Sequence, residues 1–121
     1  MSMIDTPLMR GLERVLDQSA FRHQIIAANL ANVDTPGFRT RDVRPFAGKI
    51  EQAMAGDEAS FTPVAHEIRG LLERPDGNNV SVDRESLLLA QNQLRFQVAV
   101  QFLKAEFHRL TSAITGGGAT S

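Results

Sequence analysis

The chain has 121 residues, 42% of them hydrophobic, with seven Phe and neither Trp nor Tyr, which is material for one small domain with a modest core. A formal net charge of −1 argues against the clustered basic surface of a nucleic-acid binder. The absence of cysteine excludes disulfides, thiolate metal sites and cysteine nucleophiles. A chain of this size buries only a limited share of its surface, so a partner chain is expected to complete its stability.

The opening MSMIDTPLMRGLERV has no basic start followed by an apolar run, so no ordinary secretory signal is visible. From Thr6 to Asn32 the pattern predicts one long helix. Pro7 suits a first turn and Thr6 a cap, and Leu8, Leu12, Val15, Leu16, Ile26 and Leu30 recur at helical spacing. Arg10 with Glu13, and Arg14 with Asp17, stand three residues apart on the wetter side. Ser19, Arg22 and His23 interrupt the stripe, so this helix is expected to be marginal alone.

The helix ends in AANLANVDTPGF, Ala27 to Phe38. Asn32 near the last turn, with Pro36 and Gly37 beyond it, is a stop signal, and Pro36 pushes Thr35 toward extended backbone. Asn29 is not explained that way. It sits a turn inside the helix, where asparagine is a poor former, so it is expected to hydrogen-bond a specific group. Arg39, Arg41 and Arg44, interleaved with Asp42, predict an extended arm, either solvated or docked on another subunit.

Residues 33–82 have no sustained period. Pro and Gly break every candidate element, with short helical pieces plausible at 46–54 and 63–72. PDGNNV, Pro75 to Val80, is a turn signal. From Asp83 to Ile114 comes the clearest periodicity. Leu89, Gln93, Phe96, Val100, Leu103, Phe107, Leu110 and Ile114 alternate four and three residues apart, the spacing of a coiled-coil seam. A second stripe, Leu87, Leu94, Val98, Phe102 and Ala105, implies more than one neighbour. The fold class expected is all-α: an antiparallel, coiled-coil-like pair of long terminal helices, with residues 1–44 and 81–115 as a discontinuous core. An irregular centre at 45–80 and a flexible tail at 116–121 complete it.

Candidate chemistry is weak throughout. His23, His66 and His108 have no partner at metal-ligand spacing. Asp76, Asn78 and Asp83 fail as a calcium loop because Val80 and Ser81 occupy required positions. The terminal TGGGATS lacks the strand and helix of a phosphate cradle. Acidic pairs such as Asp83 and Glu85 suit a helix N-terminus. No serine sits in a nucleophile elbow. No catalytic, cofactor or metal residue is assigned, and no enzyme is expected. No apolar run exceeds four residues, so no membrane span is expected either.

The stretch Ala27 to Phe38 resembles the motif ANxxANxxTPGY shared by flagellar rod, hook and hook-associated proteins, with Phe38 at the aromatic position. The motif residues are Ala28, Asn29, Ala31, Asn32, Thr35, Pro36, Gly37 and Phe38. The second block, DGNNVSVDRESLLLAQNQLRFQ, carries Asp76, Gly77, Asn78, Asn79 and Val80 and is similar to the short, proximal branch of the basal-body rod family. Ser86 stands where Met is common. The two blocks and their flanking helices cover about 65 residues at both ends of the chain. The resemblance implies a subunit exported without signal cleavage by the flagellar type III apparatus and assembled helically in the periplasm. The implied partners are other copies of the chain, other rod subunits and the adjoining membrane-ring and export-gate proteins. It also implies that the seam packs against the Leu8–Leu30 stripe, leaving Leu94, Val98 and Phe102 for neighbouring subunits. An all-α adaptor or export chaperone, binding partner helices in the cytoplasm, is the alternative.

Overall fold

The computed structural model describes residues 6–43 and 63–116. Helix α1 spans Pro7–Ala31, strand β1 Arg41–Val43, strand β2 Ala65–Glu67 and helix α2 Val82–Ile114. The class is the one expected: two long helices lie antiparallel against each other, with a minimal sheet at one side. At 1.5 Å per residue the 25 residues of α1 make a rod of about 37 Å and the 33 of α2 one of about 50 Å.

Both helices start on a side-chain cap. The Thr6 hydroxyl accepts from the Met9 amide at 3.1 Å, and Pro7 occupies the first turn, where an amide would have no helical partner. Ser81 accepts from the Arg84 amide at 3.2 Å, with Asp83 and Glu85 in the positive first turn of α2. Arg14 and Asp17 pair at 3.9 Å, three residues apart on the wetter side.

The seam between the helices is more polar than the apolar spacing suggests. On α2 the buried positions are Glu85, Asn92, Ala99 and Glu106, a strict step of seven, flanked by the half-buried Leu89, Val100, Leu103 and Leu110. On α1, Ser19, Ile26 and Asn29 are buried, with Leu12, Val15, Arg22 and Leu30 half-buried between them. The small side chains Ser19 and Ala99 allow close approach, and the Asn92 amide donates to the Ser19 carbonyl at 2.8 Å. Thus Ser19 and Arg22, which weaken the stripe on paper, lie on the packed side. Phe96, Phe107 and Ile114, in the expected seam, are substantially exposed, as is Leu8.

Two short segments depart from expectation. Residues 63–72 form no helix; instead β2 pairs antiparallel with β1, register Arg41↔Glu67, Asp42↔His66 and Val43↔Ala65. Cross-strand pairing overrides a helical propensity too short to nucleate by itself. The arm after Phe38 is extended, but within the chain it is docked rather than solvated: Thr40, Asp42 and Val43 are buried. The helical piece expected at 46–54, Arg44 and residues 117–121 lie outside the described residues.

Candidate functional site: interlocked turns where the helices meet

The C-terminus of α1 is tied off by its own asparagine. The Asn32 side chain donates to the Ala28 carbonyl at 2.8 Å and accepts from the Thr35 hydroxyl at 3.0 Å, while the Thr35 amide returns to the Asn32 carbonyl at 3.0 Å. Pro36 and Gly37 then reverse the chain, Gly37 at φ +76°. That left-handed conformation is one only glycine adopts without cost.

The second turn, Asp76 to Val80, locks onto the first. Asn78 is completely buried; its amide donates to the Asn32 carbonyl at 2.9 Å and the Thr35 carbonyl at 2.8 Å, and its carbonyl accepts from the Val80 amide at 2.8 Å. Every polar atom of that side chain is used. The Gly37 amide donates to the Asp76 carbonyl at 2.9 Å. Gly77, at φ +87°, lies so close that a Cβ there would stand 3.3 Å from the Gly37 Cα. Asn79 continues the contact: its side-chain oxygen accepts from the Thr40 amide at 2.6 Å, its carbonyl from the Thr40 hydroxyl at 3.1 Å. Arg74 donates to the Val33 carbonyl, and Arg39 bridges to Glu73 at 3.2 Å and to the Gly77 carbonyl at 3.1 Å. Two sequence blocks some forty residues apart therefore form one polar knot.

A second set of contacts holds the arm on α1. Asn29 presents its side chain to β1 as if it were backbone, donating to the Arg41 carbonyl at 2.8 Å and accepting from the Arg41 amide at 3.2 Å. The same amide group donates to Glu85 at 2.6 Å, and the other Glu85 oxygen accepts from Arg84 at 2.7 Å. Arg22 grips the Asp42 carboxylate through two nitrogens, both at 2.9 Å. These contacts supply the partner that Asn29, an unfavourable residue inside a helix, was expected to have.

Of the motif residues, Ala28, Ala31, Thr35, Pro36, Gly37 and Asp76 are exposed, Phe38 is half-buried, and Val80 is buried beside the asparagines. The face of α2 that carries Leu87, Leu94, Val98 and Phe102 is open, with Leu94 62% and Phe102 61% exposed and Gln97 and Gln101 between them. At the far end of the pair an open groove is lined by Met9, Glu13, Leu103, Lys104, Phe107 and His108. Among the described residues no group of acidic, histidine or cysteine side chains is placed to hold a metal ion, and no helix is long and apolar enough to cross a membrane.

Thr40 and Asn92 carry no signal as contact residues in the sequence, and Arg22, Asp42 and Glu85 read there only as a break in the stripe, part of the charged arm and an acidic first turn. Glu85 and Asn92 nevertheless share a signal in the step of seven through 85, 92, 99 and 106, masked because two of its members are charged and one is an amide. Nothing local marks Arg22 and Asp42 as partners.

The knot unites the two blocks that resemble rod proteins, and the comparisons agree with that class. The family model of flagella basal body rod proteins matches residues 16–39, from the middle of α1 through the Pro-Gly turn. The flagellar basal body rod protein FlgB of Bacillus subtilis is 30% identical over 122 residues, covering 90% of this chain and 94% of its own. That of Salmonella typhimurium is 28% identical over 130 residues with the same coverage, and that of Proteus mirabilis 30% over 117 residues, covering 79% and 85%. The chain belongs to the FlgB family of flagellar basal body rod proteins.

Proposed function

We propose that this chain is a structural subunit of the proximal rod of the bacterial flagellum, assembling helically with other copies of itself and with other rod subunits. In this reading it reaches the periplasm through the flagellar type III apparatus, adjoins membrane-ring and export-gate proteins, transmits torque and encloses a lumen that conducts later exported subunits. The segment before Asn32 is the natural place for its export signal. Family membership supports the basal-body assignment, and nothing among the relatives supports the adaptor alternative.

The observation that carries the assembling role is the open row of Leu87, Leu94, Val98 and Phe102. α1 already covers the opposite side of α2, so this row has no cover among the described residues. Burying a Leu, Val or Phe side chain contributes about 1.5–3 kcal/mol each, which favours association over exposure. In this assignment residues 1–44 and 81–115 form the packing layer, and the asparagine-rich loop with its Pro36-Gly37 turn sets how the chain leaves it.

An in-frame deletion of the gene, followed by swimming assays and electron microscopy of basal bodies, tests the proposal. Rings without a rod, and no swimming, are expected. Normal rods in the deletion strain would sink it. Phe102→Asp should block rod assembly while leaving the helical circular dichroism of the purified chain unchanged.

A further inference from the structure

Leu72 is 92% exposed, the most exposed of the large apolar residues described. It is nevertheless not on a loose loop. Its neighbours are fastened to the knot: the Arg74 amide donates to the Asn78 carbonyl at 2.8 Å, the Gly77 amide to the Arg74 carbonyl at 2.8 Å, Arg74 reaches the Val33 carbonyl, and Glu73 meets Arg39 at 3.2 Å. A leucine displayed in water on an ordered turn has already lost the conformational freedom that docking would otherwise cost. Exposed and held in place, it has the form of a knob.

The groove that fits it lies at the other end of the helix pair. Met9, Leu103 and Phe107 supply its apolar lining, with Glu13 contributed by α1 and Lys104 and His108 by α2. Neither Glu13 nor Lys104 has an ion-pair partner among the described residues. Along the chain, cationic Arg69 precedes Leu72 and anionic Glu73, paired with Arg39 at 3.2 Å but half exposed, follows it, so the segment offers one charge of each sign. From Val33, where the knob is anchored, back to Glu13 is 20 helical and turn residues, about 30 Å of rise. Leu72 therefore cannot reach the groove of its own chain.

We infer that Leu72 of one copy seats in the Met9–Leu103–Phe107 groove of a second copy, with Glu73 facing Lys104 and Arg69 facing Glu13. Knob and groove are different surfaces at opposite ends, so the contact is heterologous and propagates along an open helical assembly instead of closing into a dimer. It is distinct from the lateral row at Leu94 and Phe102, and rests on the rod reading only in requiring that copies assemble.

The chain contains no cysteine, so any link between two copies must run through the introduced thiols. Cells carrying Glu73→Cys together with Lys104→Cys are treated with a short bis-maleimide linker. A ladder of linked multimers is expected from the double variant and dimers at most from either single variant. A double variant that links no more than the singles overturns the contact. In parallel, Glu73→Lys and Lys104→Glu should each lose swimming, and the two together in one chain should regain it. An intrachain role for Glu73 beside Arg39 would give no such rescue. Leu72→Asp should lose swimming with unchanged helical content; swimming at the parental level overturns the knob. If the deletion strain still fails to swim while these variants behave as the parent, the rod subunit stands and only this contact falls.

Discussion

The side-chain amide of Asn29 lies 2.6 Å from the carboxylate of Glu85, which is fully buried, fifty-six residues away. Through this contact the last turn of α1 meets the first turn of α2. The same asparagine also reads the backbone of Arg41, so one side chain joins both helices and the arm.

Asn29→Ala removes all three bonds and leaves a buried carboxylate with Arg84 as its remaining partner. The expected loss is about 2–4 kcal/mol, seen as a fall in Tm on the order of 10 °C or more. Because Asn29 and Glu85 share one bond, Asn29→Ala combined with Glu85→Ala should cost less than the sum of the two. Additive effects in thermal melts would show the contact to be energetically idle.

Asn78 allows a sharper comparison between isosteric side chains. Asn78→Ala loses two donated bonds and one accepted bond. Asn78→Asp keeps the shape and the acceptor for the Val80 amide but points oxygens at the Asn32 and Thr35 carbonyls. The aspartate should therefore be the more damaging, by roughly 1–3 kcal/mol beyond alanine, through buried charge without a donor. Urea midpoints of the two variants decide it. An aspartate better tolerated than alanine would mean that the two carbonyls do not need this donor.

Two glycines with nearly the same backbone differ in surroundings. Gly70 (φ +83°) has open space where a Cβ would go, whereas Gly77 (φ +87°) has the Gly37 Cα at 3.3 Å. Gly70→Ala should cost about 1–2 kcal/mol from the left-handed conformation alone. Gly77→Ala should cost measurably more, because the obstacle is backbone that cannot rotate away. Equal denaturation midpoints would rule out a steric role for the close approach.

Near the end of α2, Arg109 donates two hydrogen bonds to Glu106, one of them at 3.1 Å, and with its positive charge holds the Glu106 carboxyl below its ordinary value despite some opposing desolvation. The same hydrogen bonds and the carboxylate charge push Arg109 upward. A carboxyl lowered in the folded state contributes stability that is fully present above the unfolded value, about 4.3 for a glutamate. That contribution disappears as pH falls through the lowered folded value. Arg109, raised from an already high value, stays charged across this window. Melting curves of the parent and Glu106→Gln should accordingly differ at pH 7 and converge in acid; a difference independent of pH would refute the coupling.

Much of the helical frame was legible from local features. Thr6 with Pro7 marks the start of α1 and Asn32 with Pro36-Gly37 its end, while Ser81 precedes an acidic first turn. These are short-range effects in which a cap or a missing amide acts on its own turn, so sequence determines them directly. Asn29 was likewise visible as a residue out of place, because its poor helix propensity demanded a compensating partner.

What only the tertiary structure decided was who meets whom. Apolar spacing marked Phe96, Phe107 and Ile114 for the seam, yet the buried column of α2 runs through Glu85, Asn92, Ala99 and Glu106. A helix with apolar residues on two sides does not say which side its own chain will cover. That choice went to the polar groups because in this register the Glu85 carboxylate finds a donor in Asn29 and the Asn92 amide N–H an acceptor in Ser19, and burial without them is costly. The pairing of β1 with β2, the grip of Arg22 on Asp42 and the fit of Gly77 on Gly37 belong to the same kind. Each joins residues twenty to forty positions apart through geometry that no local pattern encodes, so it exists only once the two helices have brought the chain's ends together.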